Sequence, residues 1–489
     1  MVTAIFITRM LYLGLGNNFY GFWSLLWMIF GYSLLLDFGF GTVAQKHAAE
    51  LQVDKDYENF NHISNTIIGS YIMMSFLIIL VTIISSFFLG SIFSINDIEN
   101  IDYYRKIYLT FGIGVAFIFP TGIFQEIIKG IKRFEIRNYI QIVSTTINVI
   151  GIYLIFEYNY SLLTLTIFSL SLSLITNIVM AFFAFRLIPQ FRIAFKHFQL
   201  KLLKEVTNFS FFAYIIMFSN IVIYKTDQIV LGVMTSLGAV ALYQVGSRLP
   251  HVMTQLTSQF QDNLAPISAE YYKAGEFDKL NIIIMYSNRF VAFITTCCFL
   301  VFAILTPQIL YVWLKVTDEI PMQVSYVLLL SSFSLIIFRS VSNKFLLMTG
   351  NHKKLSKIAA IESIINLVLS IILVRAMGVI GVAYGTLIPN IIISLFFILP
   401  MAVKKSGSTI SSYIRTIYLP LILVAILPST ILYYLASLVP IEDWSILRLA
   451  IYSGLFGIAF LVTGFFVFIN REERHQLFRF LPSRHKTRD

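Results

Sequence analysis

The sequence predicts an all-α polytopic membrane protein of about 14 transmembrane helices, in two pseudo-symmetric six-helix lobes plus two extra C-terminal helices. The 489 residues are 57% hydrophobic and only 12% charged, with a mean hydropathy of +0.80. A water-facing protein surface requires far more charge than this. The apolar runs are ~20 residues long, rather than the ~10 alternating residues of barrel strands, and therefore predict membrane-spanning helices.

The positive charge of the chain follows its predicted topology, so no nucleic-acid partner is needed to explain it. The formal net charge is +11. When alternate loops are assigned to the inside, 25 of the 36 Lys and Arg residues lie in inside loops and the C-terminal tail, six in outside loops and five within spans. Lys and Arg concentrate on the cytoplasmic side of membrane proteins. The sequence therefore predicts a multi-pass protein of the cell membrane with both termini in the cytoplasm.

The start of the chain predicts one incomplete span and one complete span. Residues 2–7 are too short to cross a bilayer and Arg9 interrupts the apolar run, so residues 1–16 are predicted to be the outer part of a first helix. A complete span is predicted over residues 20–43, and a polar arm over residues 44–62. The start has no positively charged leader with a cleavage site, so no signal peptide is predicted.

The remaining spans follow in order and define the predicted domains. They lie near residues 63–90, 107–126, 139–156, 162–185, 208–234, 239–262, 282–305, 321–349, 358–375, 379–402, 417–437 and 446–469. The predicted domains are an N-lobe over residues 1–185, a linker over 186–207, a C-lobe over 208–402, and helices 13 and 14 with a basic cytoplasmic tail over 403–489.

The linker, residues 186–207, has the pattern of an amphipathic helix. Phe191, Phe195, Phe198 and Leu202 share one helical face, and Arg192, Lys196 and Lys204 lie off it. Such a pattern predicts a helix in the cytoplasmic interface of the membrane. An ordinary linker helix without a lipid-specific role is the alternative.

Charged residues lie inside the seventh and eighth predicted spans. Lys225 and Asp227 fall within the seventh span, and Arg248 falls within the eighth. A charge at this depth needs a partner or water, so we expect these side chains to be paired or functional. Pro250 is predicted to kink the eighth helix and to free a backbone carbonyl.

An internal repeat predicts the two-lobe arrangement. A displacement of 220 residues pairs Ala49-Glu50 with Ala269-Glu270, Asp56-Tyr57-Glu58 with Glu276-Phe277-Asp278, Asn61 with Asn281, Gly130 with Gly350 and Arg133 with Lys353. Six spans per copy is an even number, so both copies would have the same orientation, related by an axis along the membrane normal. Two such lobes around a central cavity are typical of an alternating-access transporter.

Two stretches resemble a known family. YGFWSLLWMIFGYSLLLDFGFGTVAQKHAAE, residues 20–50, and TDQIVLGVMTSLGAVALYQVGSRL, residues 226–249, resemble the polysaccharide or O-antigen flippase family of the multidrug/oligosaccharidyl-lipid/polysaccharide exporter superfamily. The resemblance covers nearly the whole chain. It implies that the protein moves an undecaprenyl-pyrophosphate-linked oligosaccharide from the cytoplasmic to the outer leaflet of a bacterial inner membrane. We expect no cofactor, and a monomer that works among membrane lipids and alongside polysaccharide-assembly proteins.

Five cations inside the predicted spans would form a ladder through the second lobe. They are Lys225, Arg248, Arg289, Arg339 and Lys344. At ~1.5 Å per residue, Arg289 and Lys344 lie roughly 10 Å from the inner helix ends and Arg339 about 15 Å. A pyrophosphate headgroup needs such charge and multiple donors, and we expect Arg339 and Arg248 to contact it at successive stages. Structural alternatives are an ion pair of Asp227 with Arg248 or Lys225, and extension of Arg289 or Lys344 to the interface.

Four carboxylates are candidates for coupling transport to an ion. Asp37 and Glu126 lie about one to two turns from inner helix ends in the first lobe, and Glu362 has a similar place in the second. Together with Asp227 they would bind a proton or Na⁺, or form structural pairs. A helix-end carboxylate that simply reaches water is the alternative.

Two other classes of function have different sequence requirements. A cation-coupled multidrug exporter would share the architecture and stays open as an alternative. A membrane glycan-transfer enzyme usually presents acidic or His residues on a sizeable outer loop, but the longest outer loops, 91–106 and 306–320, contain no His. The adjacent Cys297 and Cys298 lie in an apolar run and predict no metal site. We therefore predict a non-enzyme without catalytic or metal-binding residues.

Overall fold

The computed structural model describes residues 2–93, 95, 100–194, 198, 211–261, 271 and 274–468, which are predominantly helical. The main helices are α1 Val2–Gly31, α2 Phe40–Asp54, α3 Tyr57–Phe87, α4 Ile101–Gly130, α5 Phe134–Glu157, α6 Leu162–Leu187, α7 Phe211–Met234, α8 Leu237–Gly246, α9 Arg248–Gln261, α10 Phe277–Leu314, α11 Glu319–Met348, α12 His352–Met377, α13 Val379–Lys405, α14 Ile410–Ser437 and α15 Ile446–Val467. Among the described helices, the eleven from α3 to α7 and from α10 to α15 are long and apolar enough to cross a membrane. The chain is a polytopic helical membrane protein, as predicted.

Helix α1 contains the first predicted span and part of the second. Gly16 divides it, with φ 70° and ψ 175°, a backbone conformation that glycine adopts far more readily than other residues. The prediction of a break between residues 1–16 and the span that follows is confirmed.

The second predicted span, residues 20–43, is not one continuous helix. After α1 comes a 3₁₀ helix, Tyr32–Asp37, and then Phe38 and Gly39, both with left-handed backbone conformations. The complete span predicted there is interrupted because a local signal overrides the apolar pattern. The backbone N–H of Gly41 donates to Oδ1 of Asp37 at 3.0 Å, which restarts the helix as α2.

The described chain packs as two compact units, which differ from the lobes inferred from the repeat. One comprises residues 1–244 and 359–382, and the other comprises residues 245–358 and 383–489. The units reflect packing, whereas the predicted lobes reflect a sequence repeat. The lobe boundaries stay a prediction.

Each unit has its own apolar core. In the first unit α3 packs against α4, α4 against α6, and α2 against the second half of α4. Ile63, Ile123 and Ile127 are buried at the centre of this packing. In the second unit α14 packs against α15 and α10, with Val424 and Phe460 buried between them. Many outward-facing side chains are apolar and exposed, as expected for a protein surrounded by lipid.

The predicted linker helix does not form where the structure describes it. Residues 188–194 are not helical after α6 ends at Leu187. Two amides of α3 hold the segment by its backbone instead. Asn61 donates to the carbonyl of Gln190 at 3.0 Å and accepts from the N–H of Arg192 at 2.9 Å. Asn65 donates to the carbonyl of Arg192 at 2.8 Å and accepts from the N–H of Ala194 at 2.9 Å.

Phe191 lies in the core of the first unit rather than on an interfacial helix face. It is buried, it stacks on Phe185 with ring centroids 5.0 Å apart, and it meets the edge of Phe60. This contact replaces the predicted amphipathic arrangement for this part of the linker. Most of the remaining linker, including Phe195, Lys196, Leu202 and Lys204, lies outside the described residues.

Candidate functional site

The break between α1 and α2 places Asp37 in a polar cluster of the first unit. Besides capping Gly41, the Asp37 carboxylate accepts a hydrogen bond from the hydroxyl of Tyr71 on α3. A Cβ atom added at Gly41 would lie 3.6 Å from each Asp37 carboxylate oxygen and 3.3 Å from Cγ of Glu126. The fold thus brings together the two carboxylates that the sequence singled out in the first lobe.

Lys129 supplies a cation to the same cluster. Its amino group lies 2.6 Å from Oε1 of Glu126, three residues earlier on α4, and both side chains are mostly buried. The cluster therefore contains two carboxylates, one ammonium and one phenol. Such a set can stabilise the helix break or exchange a proton or small cation. The contacts that Asp37 and Glu126 make with Gly41, Tyr71 and Lys129 are those of structural pairing.

Asp227 lies in a second polar cluster of the first unit and is 4% exposed. Its Oδ2 accepts from the hydroxyl of Tyr243 on α8, and its Oδ1 lies 3.5 Å from Oγ of Ser370 on α12. The neighbouring Gln228 donates to Gln244. Two successive residues of α7 therefore bond two successive residues of α8, which fixes the register of this helix pair.

Lys225 has different neighbours from Asp227. Residues two apart on a helix point in roughly opposite directions. The Lys225 amino group lies against Gly31 at the end of α1, where it occupies the space that a side chain would need. Beside it, the Tyr32 hydroxyl shares a hydrogen bond with Oγ1 of Thr226. The amino group of Lys225 thus contacts α1, while the carboxylate of Asp227 is directed to α8 and α12.

Glu362 lies on α12 and is 2% exposed. Asn366 and Ser370 follow it at intervals of four residues, and both are buried. Residues four apart share one face of a helix, so α12 carries a polar stripe whose far end is the Ser370 contact to Asp227. The sequence prediction placed Glu362 alone, without this stripe.

The predicted kink near Pro250 is confirmed in the second unit. The ring of a proline within a helix displaces the carbonyl four residues earlier, which here belongs to Gly246. The helix is interrupted at Ser247, between α8 and α9. The Gly246 carbonyl accepts a hydrogen bond from Oγ of Ser325 on α11 at 2.8 Å. Arg248 is half-buried at the start of α9, immediately after the interruption.

Arg339 occupies a distorted segment of α11 in the second unit. Residues Leu335–Ser340 form a π-helix, and Arg339 is 7% exposed. A second π-helix in this unit, Ser394–Ile398 in α13, packs against the first. Insertions of this kind recur at functional sites in α-helices. Buried Asn390 joins the two helices by donating to the carbonyl and Oγ of Ser331 at 2.8 and 2.9 Å.

The other two predicted cations of the second lobe lie elsewhere in this unit. Arg289 of α10 is 8% exposed and donates to the carbonyl of Phe468 at 2.5 Å, with its guanidinium 4.8 Å from the centre of the Phe468 ring. It thus binds the end of α15. Lys344 is half-buried in the last turns of α11.

Several partners in these clusters carry no charge and were missed from sequence. Tyr71, Tyr243, Ser370 and Asn390 all contact a predicted site residue or join its helix to a neighbour. Their only sequence signal is a polar group within an apolar run, which many unrelated positions share. Their partners lie tens to more than a hundred residues away in the chain, so spacing does not reveal them.

Comparison with known proteins gives a clear result at the level of fold. No protein-family model matches the chain, and no curated protein does. Among solved structures, the lipid II flippase MurJ in an inward closed conformation is similar with a TM-score of 0.74 and 18% identity, over 95% of this chain and 96% of that one. An inward-facing multidrug resistance MATE family transporter of the MOP superfamily is similar with a TM-score of 0.68 and 14% identity, over 83% and 94%.

An outward-facing MATE family transporter is also similar, with a TM-score of 0.57 and 16% identity over 83% and 92%. The likeness to each of these proteins extends over nearly all of its chain, so it concerns the complete helical arrangement rather than one shared motif. The chain therefore shares the polytopic helical fold of these three proteins.

Proposed function

We propose that this protein is a flippase that moves a polyprenyl-pyrophosphate-linked oligosaccharide from the cytoplasmic to the outer leaflet for cell-surface polysaccharide biosynthesis. The observation that carries the proposal is the likeness in fold to a lipid II flippase over nearly the whole of both chains. The residues that resemble polysaccharide flippases, 20–50 and 226–249, supply the oligosaccharide class. Alternating access would move the headgroup across, in a bacterial inner membrane with both termini in the cytoplasm.

Arg339 has the leading role in this proposal. It combines depth in its span, burial and a π-helical backbone that shifts its side chain relative to a regular helix. A guanidinium remains protonated and can bind phosphate oxygens in pairs. Arg248 would contact the headgroup at another stage of passage. Lys225 and Lys344 would add positive charge.

The coupling ion is proposed to be a proton or Na⁺. The cluster of Asp37, Glu126, Lys129 and Tyr71 favours the first unit as its place, because two carboxylates flank the same glycine there. Asp227 and Glu362 are the other candidates, because both are buried acids. No cofactor enters the mechanism, and the protein is proposed to act as a monomer.

A cation-coupled multidrug exporter is the second candidate, favoured by the likeness to MATE transporters. The coverage supports the flippase: the similarity to the lipid II flippase extends over 95% of this chain, and the similarity to the inward-facing MATE transporter over 83%. We prefer the flippase because the part of this chain that has no equivalent in the MATE transporter has one in the lipid II flippase. A membrane glycan-transfer enzyme is less favoured, since these neighbours are transporters and flippases.

The test compares Arg339 variants in a strain whose surface polysaccharide depends on this protein. We expect Arg339→Ala to abolish surface glycan and to accumulate its lipid-linked precursor, at unchanged membrane abundance. Arg339→Lys keeps the charge but loses the planar fork, so it should retain partial flux. Arg375→Ala, at the exposed end of α12, is the control and should keep normal flux. Normal glycan in Arg339→Ala, or drug efflux without any effect on glycan, would contradict the proposal.

A further inference from the structure

A groove in the second unit lies between the start of α10 and the start of α14. Its volume is about 460 Å³, and its lining includes Asn281, Met285, Arg289, Ser408, Ser412 and Thr416. Of the residues that line it, Arg289 carries the only charge, and it is positive. The groove therefore suits a ligand with a negatively charged or strongly hydrogen-bonding head.

The polar lining residues Asn281, Arg289, Ser408, Ser412 and Thr416 form the floor of the groove. Hydrogen bonds hold this floor in shape. Oγ of Ser408 donates to Oδ1 of Asn281 at 2.6 Å, which ties the loop before α14 to α10. The Thr416 hydroxyl donates to the Ser412 carbonyl and lies 3.9 Å from Sδ of Met285. Arg289 is fixed by its contact with the Phe468 carbonyl. These contacts fix polar side chains of the floor before any ligand binds, which lowers the entropic cost of binding.

The rim of the groove is apolar and faces outward. Ile282 and Tyr286 on α10 line the groove and are exposed large side chains beside its polar floor. On a membrane-spanning surface such side chains contact acyl chains. A ligand that satisfies both floor and rim is amphiphilic. Lys404 and Arg415, exposed beside the start of α14, add positive charge outside the groove.

The repeat explains why the groove is open in this half of the chain. The displacement of 220 residues that pairs Asn61 with Asn281 also pairs Asn65 with Met285 and Gly69 with Arg289. In the first unit this face of α3 is covered by the chain itself. Asn61 and Asn65 bind the backbone of residues 190–194, and a Cβ added at Gly69 would lie 2.6 Å from the ring of Phe198. Met285 cannot bind a backbone through an amide as Asn65 does, and Arg289 brings a positive charge to the position that Gly69 occupies in the first unit.

We propose that this groove binds the phosphate-bearing headgroup of an anionic membrane phospholipid, with its acyl chains along Ile282 and Tyr286. The phosphate would lie near the Arg289 guanidinium and accept hydrogen bonds from the hydroxyls of Thr409 and Ser412, which also line the groove. The lipid would bridge α10 and α14, and so stabilise the second unit. This site does not depend on the transported substrate being an oligosaccharide lipid.

The test uses the purified full chain in detergent and measures retained lipid by native mass spectrometry. Phosphatidylglycerol and phosphatidylcholine are added separately. We expect phosphatidylglycerol to be retained about tenfold more strongly, because the choline of phosphatidylcholine carries a positive charge that Arg289 repels. Phosphatidylglycerol should also raise the thermal unfolding midpoint.

Two leucine substitutions one residue apart make a matched pair. Ser412→Leu fills the groove, whereas Ser411→Leu places the same side chain on the exposed neighbouring position. We expect Ser412→Leu to lose the preference for phosphatidylglycerol and Ser411→Leu to keep it. Arg289→Lys keeps the charge and should keep part of the preference, and Arg289→Gln should lose it.

Three outcomes would overturn the proposal. Equal retention of phosphatidylglycerol by the wild type and Ser412→Leu would remove the groove as its site. Full displacement of the lipid by inorganic phosphate would indicate a soluble phosphate ligand. Displacement by a polyprenyl pyrophosphate in preference to phosphatidylglycerol would assign the groove to the transported substrate. None of these measurements requires transport, so the failure of this proposal is distinguishable from failure of the flippase proposal.

Discussion

Asp227 illustrates how a buried carboxylate can serve packing through its oxygens as well as transport through its charge. Tyr243 and Ser370 approach different oxygens of the same carboxylate from two helices of the first unit. Asn presents one comparable acceptor oxygen without the charge, and Ala presents none. Substitutions at this position therefore separate the two roles.

The expected result is that Asp227→Ala lowers the free energy of unfolding by about 1–3 kcal/mol, because it leaves buried hydroxyls without their acceptor. Asp227→Asn should cost less than about 1 kcal/mol, since it keeps an acceptor for Tyr243. The measurement is the thermal unfolding midpoint in detergent, with Tyr243→Phe as an intermediate control. Equal destabilisation by Asn and Ala would contradict the packing role. Loss of flux in Asp227→Asn at normal stability would show that the charge itself takes part in transport.

At this scale the sequence revealed charges but not their partners. Arg339, Asp227 and Glu362 stood out because ionised groups are costly inside a bilayer. Their neighbours were not predictable, because Tyr243 and Ser370 are ordinary residues of apolar helices. The structural alternatives that pair Asp227 with Arg248 or Lys225 stay predictions, although residues two apart on a helix direct their side chains to roughly opposite sides.

At the scale of elements, the interruption between α8 and α9 links a proline to a serine 75 residues later. Pro250 frees the Gly246 carbonyl, and Ser325 donates to it. Removal of the Ser325 hydroxyl should therefore lower the free energy of unfolding only while Pro250 is present. This dependence makes the pair suitable for a double-mutant cycle.

We expect Ser325→Ala to cost about 1–2 kcal/mol in the wild type, because a buried carbonyl loses its hydroxyl partner. In a Pro250→Ala background the cost should fall below about 0.5 kcal/mol, since the N–H of residue 250 can then bond the Gly246 carbonyl. The unfolding midpoints of the two single variants and the double variant give the coupling. An equal cost of Ser325→Ala in both backgrounds would contradict this account of the kink.

The elements also show where a pattern is sufficient and where it is not. Apolar length predicted the long helices from α3 onward, because backbone groups in lipid must bond within the helix. Helical periodicity, by contrast, gave a wrong prediction at residues 188–194. The pattern is present in the sequence, but two side chains of α3 bind the backbone of this segment. A periodic pattern shows which side chains are apolar. It does not show whether distant amide side chains will bind the backbone groups that a helix would otherwise pair.

At the scale of the molecule, the distribution of Lys and Arg predicts which helix ends face the cytoplasm. Lys353 lies exposed at the start of α12, and Asp443 lies exposed between α14 and α15. The topology assigns the first to the inside and the second to the outside. Both side chains are exposed at or beyond the end of a long helix, so a cysteine at either one should leave packing intact.

In a background with Cys297 and Cys298 replaced by Ser, intact cells treated with an impermeant maleimide should label D443C and not K353C. Permeabilised cells should label both, which controls for the reactivity of each thiol. Labelling of K353C from outside would reverse the predicted orientation. Labelling of both from outside would contradict the assignment of spans between them.

The whole-molecule prediction succeeded for fold class because hydropathy, charge distribution and repeat are properties of the entire chain. The repeat also proved informative about contacts: Asn61 binds the segment after α6, and Asn281 binds Ser408 after α13. The site was only partly predictable. The π-helix around Arg339 and the restart at Asp37 arise from packing and capping that no periodic signal encodes.

The asparagine clamp on α3 has a consequence for how the chain can change over evolutionary time. Asn61 and Asn65 bind carbonyl and N–H groups of residues 190–194, which nearly every amino acid supplies. Side chains in most of this segment are therefore free to diverge without detaching it. Proline is the exception at positions 192 and 194, because it lacks the N–H that each asparagine oxygen accepts. The attachment of this segment therefore requires only that Asn61 and Asn65 are kept and that proline is absent from positions 192 and 194.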